Sequence, residues 1–175
     1  MKVSFFKGAS PKELFSELFS VRSLALSGLV AALYAVTTIL FAPISYGYVQ
    51  VRISEALTVL PFLFPQAVFG LFVGCLFANL FGGFGILDVV LGSAATLLAG
   101  IVSSAMPTVY LAALPPVLVN MVIVGGYLSF ILDLPFSLCA MYVGIGQFIA
   151  CYLLGVPLTL LLGKRIKAGG EDPAR

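Results

Sequence analysis

The chain contains no histidine. Histidine-based acid–base catalysis, histidine-ligated haem and the common zinc sites are therefore excluded. Cysteine is sparse: Cys75, Cys139 and Cys151 lie in apolar runs without a C-x-x-C spacing, as packing residues do. Charge is also scarce, at 9% of residues against roughly 25% in soluble domains. No basic patch lies outside the two ends, so the net charge of +2 does not point to nucleic acid. There is no Walker motif, no clustered acidic motif and no nucleophile beside a base, which argues against an enzyme. No convincing repeat relates the two halves, whereas a stand-alone secondary transporter usually has one along with an ion-coupling site. The first apolar run begins late and opens into a long hydrophobic block, so a cleavable signal peptide is not expected.

That hydrophobic block dominates the chain. Mean hydropathy is +1.16, and 61% of the 175 residues are apolar. A chain of this length cannot bury so much apolar surface in its own core. Lipid must cover the rest, and the fold class is an all-α integral membrane protein. Six charges lie between Lys2 and Arg22, and six between Lys164 and Arg175. The 141 residues from Ser23 to Gly163 hold only four: Arg52, Glu55, Asp88 and Asp133. The domain organisation follows. Residues 1–22 are an N-terminal segment, 23–163 a transmembrane domain, and 164–175 a basic tail.

Within residues 11–22, Leu14, Phe15, Leu18 and Phe19 face away from Lys12, Glu13 and Glu17, the pattern of a short amphipathic helix in the interface. A span needs ~20 apolar residues. The first is expected over 23–42, ended by Pro43. Residues 51–64 and 66–82 follow, interrupted by Pro61, Pro65 and Gln66; two short helices around a tight turn compete here with one kinked helix. After Gly82, Gly83 and Gly85 come helices over 86–105 and 108–131, then a turn at Asp133 and Pro135, then a last helix over 136–163. The prediction is six spans. Lys2, Lys7, Lys12 and Arg22 flank the first, and Lys164, Arg165 and Lys167 flank the last, so both termini are expected in the cytoplasm.

With that topology the outer loops fall near 43–50, 82–86 and 132–135, and all four membrane-region charges lie beside them. Charges at membrane depth are costly and face a cavity or one another. Arg52 and Glu55 are three residues apart and share a helical face, so they are candidates to pair. Asp88 follows the glycine-rich break and Asp133 sits in a turn; each fits a helix cap as well as a ligand. Asn120 and Gln147 lie halfway along their spans and either bond one another or line a cavity. Carboxylates, amides and tyrosines together suit a planar heterocycle with hydrogen-bonding edges. Ser27, Ala31 and Ala35, with Gly28 and Ala32 beside them, form a small-residue stripe on the first span, which serves internal packing or a partner helix.

The run from Gln50 to Pro61, QVRISEALTVLP, resembles the signature of the QueT family. The run Asn79-Leu80-Phe81-Gly82-Gly83 and the run Ile86 to Gly92 are similar too, and the likeness in character covers about 22–163. The resemblance implies a substrate-binding (S) component of an energy-coupling factor transporter, in a bacterial cytoplasmic membrane. It further implies a six-helix fold with an outward pocket, a coupling transmembrane subunit and two ATPase subunits as partners, and no cofactor. The implied cargo is a queuosine precursor, a 7-deazaguanine base such as queuine or its aminomethyl precursor. Another vitamin-like heterocycle, or a stand-alone secondary transporter, is the alternative. On this reading Ala31 and Ala35 match the stripe that meets the coupling subunit. The loop 43–50 is the lid. Glu55 accepts from the guanine-like edge, and Arg52 orients Glu55 or donates to a carbonyl. Asn79, Asp88, Asn120 and Gln147 are polar ligands, and Tyr46, Tyr48 and Phe81 stack on the base.

Overall fold

The computed structural model describes residues 20–45 and 51–168, and among them every regular element is helical. Helix α1 runs Val21–Leu40, opened by Ser20, whose hydroxyl accepts the Ser23 amide at 3.2 Å. A single turn, Ala42–Ser45, follows and carries Pro43. Of the amphipathic helix expected over 11–22, all but the last residues lie outside the described part of the chain.

The segment after the first loop divides in two. Helix α2, Ile53–Phe62, is a ten-residue 3-10 helix, and α3, Ala67–Leu80, is α-helical. Between them Leu63 and Phe64 both donate to the Leu60 carbonyl, at 2.9 Å each, and Pro65 prevents the helix from continuing. Of the two alternatives left by the sequence, the structure has the pair of short helices. At ~2.0 Å per residue α2 reaches about 20 Å, and at ~1.5 Å per residue α3 reaches about 21 Å. Neither alone matches a hydrocarbon core of ~30 Å.

Gly83 and Gly85, with φ of 77° and 81°, turn the chain into α4, Asp88–Ala105. The first turn of α4, Asp88–Gly92, is π-helical. Met106 is extended because Pro107 follows it, and that ends α4. Helix α5 spans Val109–Leu132, interrupted at Ala113. Pro116 has no N–H to donate back to Ala112, and the Ser103 hydroxyl takes that carbonyl instead, at 2.8 Å. Asp133 ends α5 in the left-handed region at φ 53°, and both its N–H and that of Leu134 return to the Ser129 carbonyl. Helix α6 runs Phe136–Ala168 with a π-helical stretch at Ile149–Gly155. It continues past residue 163, so the start of the basic tail is helical.

Four of these helices, α1, α4, α5 and α6, are long and apolar enough to cross a membrane. Six spans were expected; among the described residues four helices have the length to cross, and α2 and α3 are shorter apolar helices. The distribution of side chains suits lipid. Leu29, Leu33, Val36, Phe69, Phe77 and Phe130 are exposed, whereas Arg52, Glu55, Asn79, Asp88, Asn120 and Thr96 are buried. Polar groups that lipid cannot satisfy are turned toward one another.

Close backbone approach holds the bundle together. A Cβ at Gly70 would lie 2.3 Å from the Ser27 carbonyl oxygen, and one at Gly74 would lie 2.7 Å from that of Ala31. Helix α1 therefore packs on α3 along its 27–31 edge. Ser27 is buried there and donates to the Gln66 carbonyl at 2.8 Å. A Cβ at Gly155 would likewise lie 2.7 Å from the Ala56 carbonyl oxygen, which seats the π-helical stretch of α6 against α2. Gly70→Ala should lower the melting temperature in detergent by roughly 2–10 °C, from about 1–3 kcal/mol of overpacking. Gly28→Ala, whose Cβ would meet nothing within 4 Å, should leave it unchanged or raise it. Equal melting of the two variants would contradict this packing.

Candidate functional site

Helices α2, α4, α5 and α6 enclose a cavity lined by Arg52, Glu55, Gly92, Thr96, Asn120, Val124, Val143 and Gln147. Each of the three long helices supplies residues at one-turn spacing: 92 and 96 from α4, 120 and 124 from α5, 143 and 147 from α6. The cavity is tight, with about 10 Å³ for the centre of a water-sized sphere, room for roughly one water. Admitting a heterocycle requires these side chains to move apart.

Its charged groups fall into two sets. In the first, Arg52 donates to Asn79 Oδ1 at 2.9 Å and to the Asp88 carboxylate at 3.3 and 3.5 Å. Tyr127 donates its hydroxyl to Asp88, and the Asn79 amide donates to the Asp88 carbonyl at 2.9 Å. Gly92 makes room for this cluster: a Cβ there would lie 2.7 Å from Asn79 Nδ2 and 3.1 Å from Asp88 Oδ1. One buried ion pair with neutral donors and acceptors around it ties the start of α2, the end of α3, the start of α4 and the last third of α5 together. Its members are occupied with each other.

The second set is only partly satisfied. Glu55 is 1% exposed, and its Oε1 accepts the Tyr34 hydroxyl from α1. Its Oε2 has no hydrogen-bond partner. The Gln147 side chain sits beside it. Asn120, also 1% exposed, has neither its Oδ1 nor its Nδ2 bonded. Buried polar atoms without partners are rare and costly. Three of those among the described residues lie at this one cavity: Glu55 Oε2 and Asn120 Oδ1 offer acceptors and Asn120 Nδ2 a donor, with the Gln147 side chain beside them.

The predicted site residues are thus distributed unevenly. Glu55, Arg52, Asn120 and Gln147 line the cavity; Asn79 and Asp88 stand behind Arg52. The expected Arg52–Glu55 pairing is replaced by Arg52–Asp88. Arg52 precedes the first turn of α2 with extended backbone, φ −82° and ψ 104°, so helical three-residue spacing does not bring it to Glu55. Phe81 follows the end of α3 with 70% exposure and is not among the lining residues. It lies two residues past Asn79 at ~100° each, on the opposite side of the helix. Tyr46 and Tyr48 lie outside the described residues. Asp133 is an exposed helix end. Of the stripe on α1, Ser27 is buried against α3, Ala31 and Ala35 are half-buried, and Gly28 and Ala32 are exposed.

Tyr34 and Tyr127 were not anticipated. Each is a tyrosine within an apolar span, and a buried phenol needs a hydrogen-bond acceptor. Tyr127 also lies two turns from Asn120 on the same face of α5, a spacing that placed it near the site.

A protein-family model described as QueT transporter matches residues 24–164. No curated protein and no solved structure matches the chain.

Proposed function

We propose that this chain, which belongs to the QueT transporter family by the match over residues 24–164, is the substrate-binding component of an energy-coupling factor importer. Its cargo on this reading is a queuosine precursor, a 7-deazaguanine base. The supporting observation is the enclosed cavity in which Glu55 Oε2 and both polar atoms of Asn120 lack partners. A guanine-type edge supplies what they lack: N–H donors for Glu55 and Asn120 Oδ1, and a carbonyl for an amide N–H. Arg52, Asn79 and Asp88 hold the cavity wall. Tyr48 belongs to the lid on the loop 43–50, and Phe81 takes part in stacking only if ligand entry turns its ring inward.

Energy is supplied in trans by two ATPase subunits through a coupling transmembrane subunit. Helix α1 has the face for that subunit, with Gly28 and Ala32 exposed and Ala31 and Ala35 at its edge. Ser27 belongs to the packing against α3. The membrane is the bacterial cytoplasmic membrane, crossed six times when α2 and α3 are included, with both termini in the cytoplasm.

Mass spectrometry of the small molecule that co-purifies with detergent-solubilised protein tests the cargo. A 7-deazaguanine is expected; a different co-purifying heterocycle would refute that part. Co-purification with ATPase subunits would support the importer. Uptake by the protein alone, driven by protons or sodium, would favour a secondary transporter instead.

A further inference from the structure

The cavity is lined from α2, α4, α5 and α6, and α1 reaches its carboxylate through the side chain of Tyr34. That phenol is fully buried, and its hydroxyl donates to Glu55 Oε1. Its place depends on α3: a Cβ at Gly74 would lie 2.9 Å from the Tyr34 Cβ, so the glycine leaves the room that the tyrosine occupies. One turn further along α1, the Thr38 hydroxyl donates to the Tyr34 carbonyl at 2.8 Å and lies 2.6 Å from the Ser54 hydroxyl of α2.

The main chain of Glu55 is held separately. Thr58 donates to its carbonyl at 2.6 Å, and the Cys151 thiol of α6 donates to the same oxygen at 3.5 Å. The direction of the carboxylate is left to the groups around its tip, and two of them compete for it. Arg52 lines the cavity beside Glu55, and a guanidinium attracts a neighbouring carboxylate strongly at low dielectric. It is engaged with Asp88 at 3.3 Å and with Asn79 at 2.9 Å, yet its five N–H donors suffice for a second carboxylate. Tyr34 holds Glu55 toward α1 instead. With Oε1 so held, Oε2 keeps no protein partner.

We propose that Tyr34 is a positioning residue: its hydroxyl keeps the Glu55 carboxylate from turning to Arg52, so that Oε2 remains an acceptor for the occupant of the cavity. The proposal rests on the reading of Glu55 as a substrate ligand. It adds the residue that keeps Glu55 available and makes the cavity depend on how α1 is seated against α3. The gain is preorganisation, because a side chain already aimed costs the ligand less to order.

Titration calorimetry with queuine, on the full chain in lipid nanodiscs, compares wild type, Tyr34→Phe, Glu55→Gln and the double variant. Tyr34→Phe keeps the ring and removes only the hydroxyl. It should weaken binding about 3- to 10-fold, the scale of one side chain left for the ligand to immobilise. In the Glu55→Gln background the same change should cost less than about twofold, because a neutral amide is drawn to Arg52 far less than a carboxylate is. A hydroxyl that serves stability alone would cost the same in both backgrounds. That result would overturn the proposal, as would unchanged affinity in Tyr34→Phe. Should Tyr34→Phe not fold, Gly74→Ala decides, since it crowds Tyr34 and leaves the hydroxyl in place. It should weaken queuine binding in the wild type but not in Glu55→Gln, and equal effects in the two would overturn the proposal. If folded wild-type protein does not bind queuine, the substrate reading of Glu55 fails and this proposal fails with it. If queuine binds and only the Tyr34 effect is missing, the substrate reading stands and the proposal alone is refuted.

Discussion

Truncating Asp88 to alanine is expected to lower stability by about 3–5 kcal/mol, among the largest costs of any single substitution in the chain. Asp88 is fully buried and accepts from Arg52 and Tyr127, while its backbone carbonyl holds the Asn79 amide. Removing the carboxylate takes away the counter-ion of a guanidinium that is itself 4% exposed. Thermal unfolding in detergent should show a drop of roughly 10–20 °C. The double variant Arg52→Leu, Asp88→Leu should recover a good part of that loss, because it removes both charges together. A single variant that melts within a few degrees of the wild type would show that the cluster does not hold α2, α3, α4 and α5 together.

Glu55→Gln should behave in the opposite way. The substitution keeps size and an acceptor for Tyr34 but removes a buried charge, so the ligand-free protein should melt at the wild-type temperature or above it. Affinity for a 7-deazaguanine should fall about 10- to 150-fold, corresponding to about 1.5–3 kcal/mol for a hydrogen bond to a charged group. Titration calorimetry beside thermal melting separates the two effects. Unchanged affinity would remove Glu55 from the site, and a collapse of stability would make it a structural residue like Asp88.

These contrasting expectations divide a group of charges that looked uniform in the sequence. Hydropathy and the scarcity of charge indicate a membrane bundle, and the helix breaks at Pro65, Gly83, Gly85 and Asp133 follow from residue types that end helices. That Arg52, Asn79 and Asp88 lie toward one side of the bundle was legible too, because the expected topology put all three beside loops of the same side. Which carboxylate Arg52 chooses was not. That depends on Arg52 lying before α2 in extended backbone and on α2 being a 3-10 helix. The 3-10 helix α2 and the π-helical stretch of α6 at Ile149–Gly155 approach closely at Gly155, and no local pattern encodes either helix type. The small-residue stripe on α1 was visible, but its direction was not: Ser27 and Ala31 face α3 because Gly70 and Gly74 lie opposite. The buried tyrosines were overlooked because a tyrosine within an apolar span reads as one more large hydrophobe until an acceptor is placed beside it.

The central claim is that unbonded polar atoms around the cavity exist for a ligand, and Asn120 tests it most directly. Asn120→Leu replaces two buried polar atoms that bond no other protein group with an apolar side chain of similar size. The measurement is thermal melting of wild type and variant with and without saturating 7-deazaguanine. The account predicts that empty Asn120→Leu melts at or above the wild-type temperature and that the ligand-induced rise seen in the wild type disappears. A variant that melts well below wild type when empty, or that keeps the full ligand-induced rise, would contradict it.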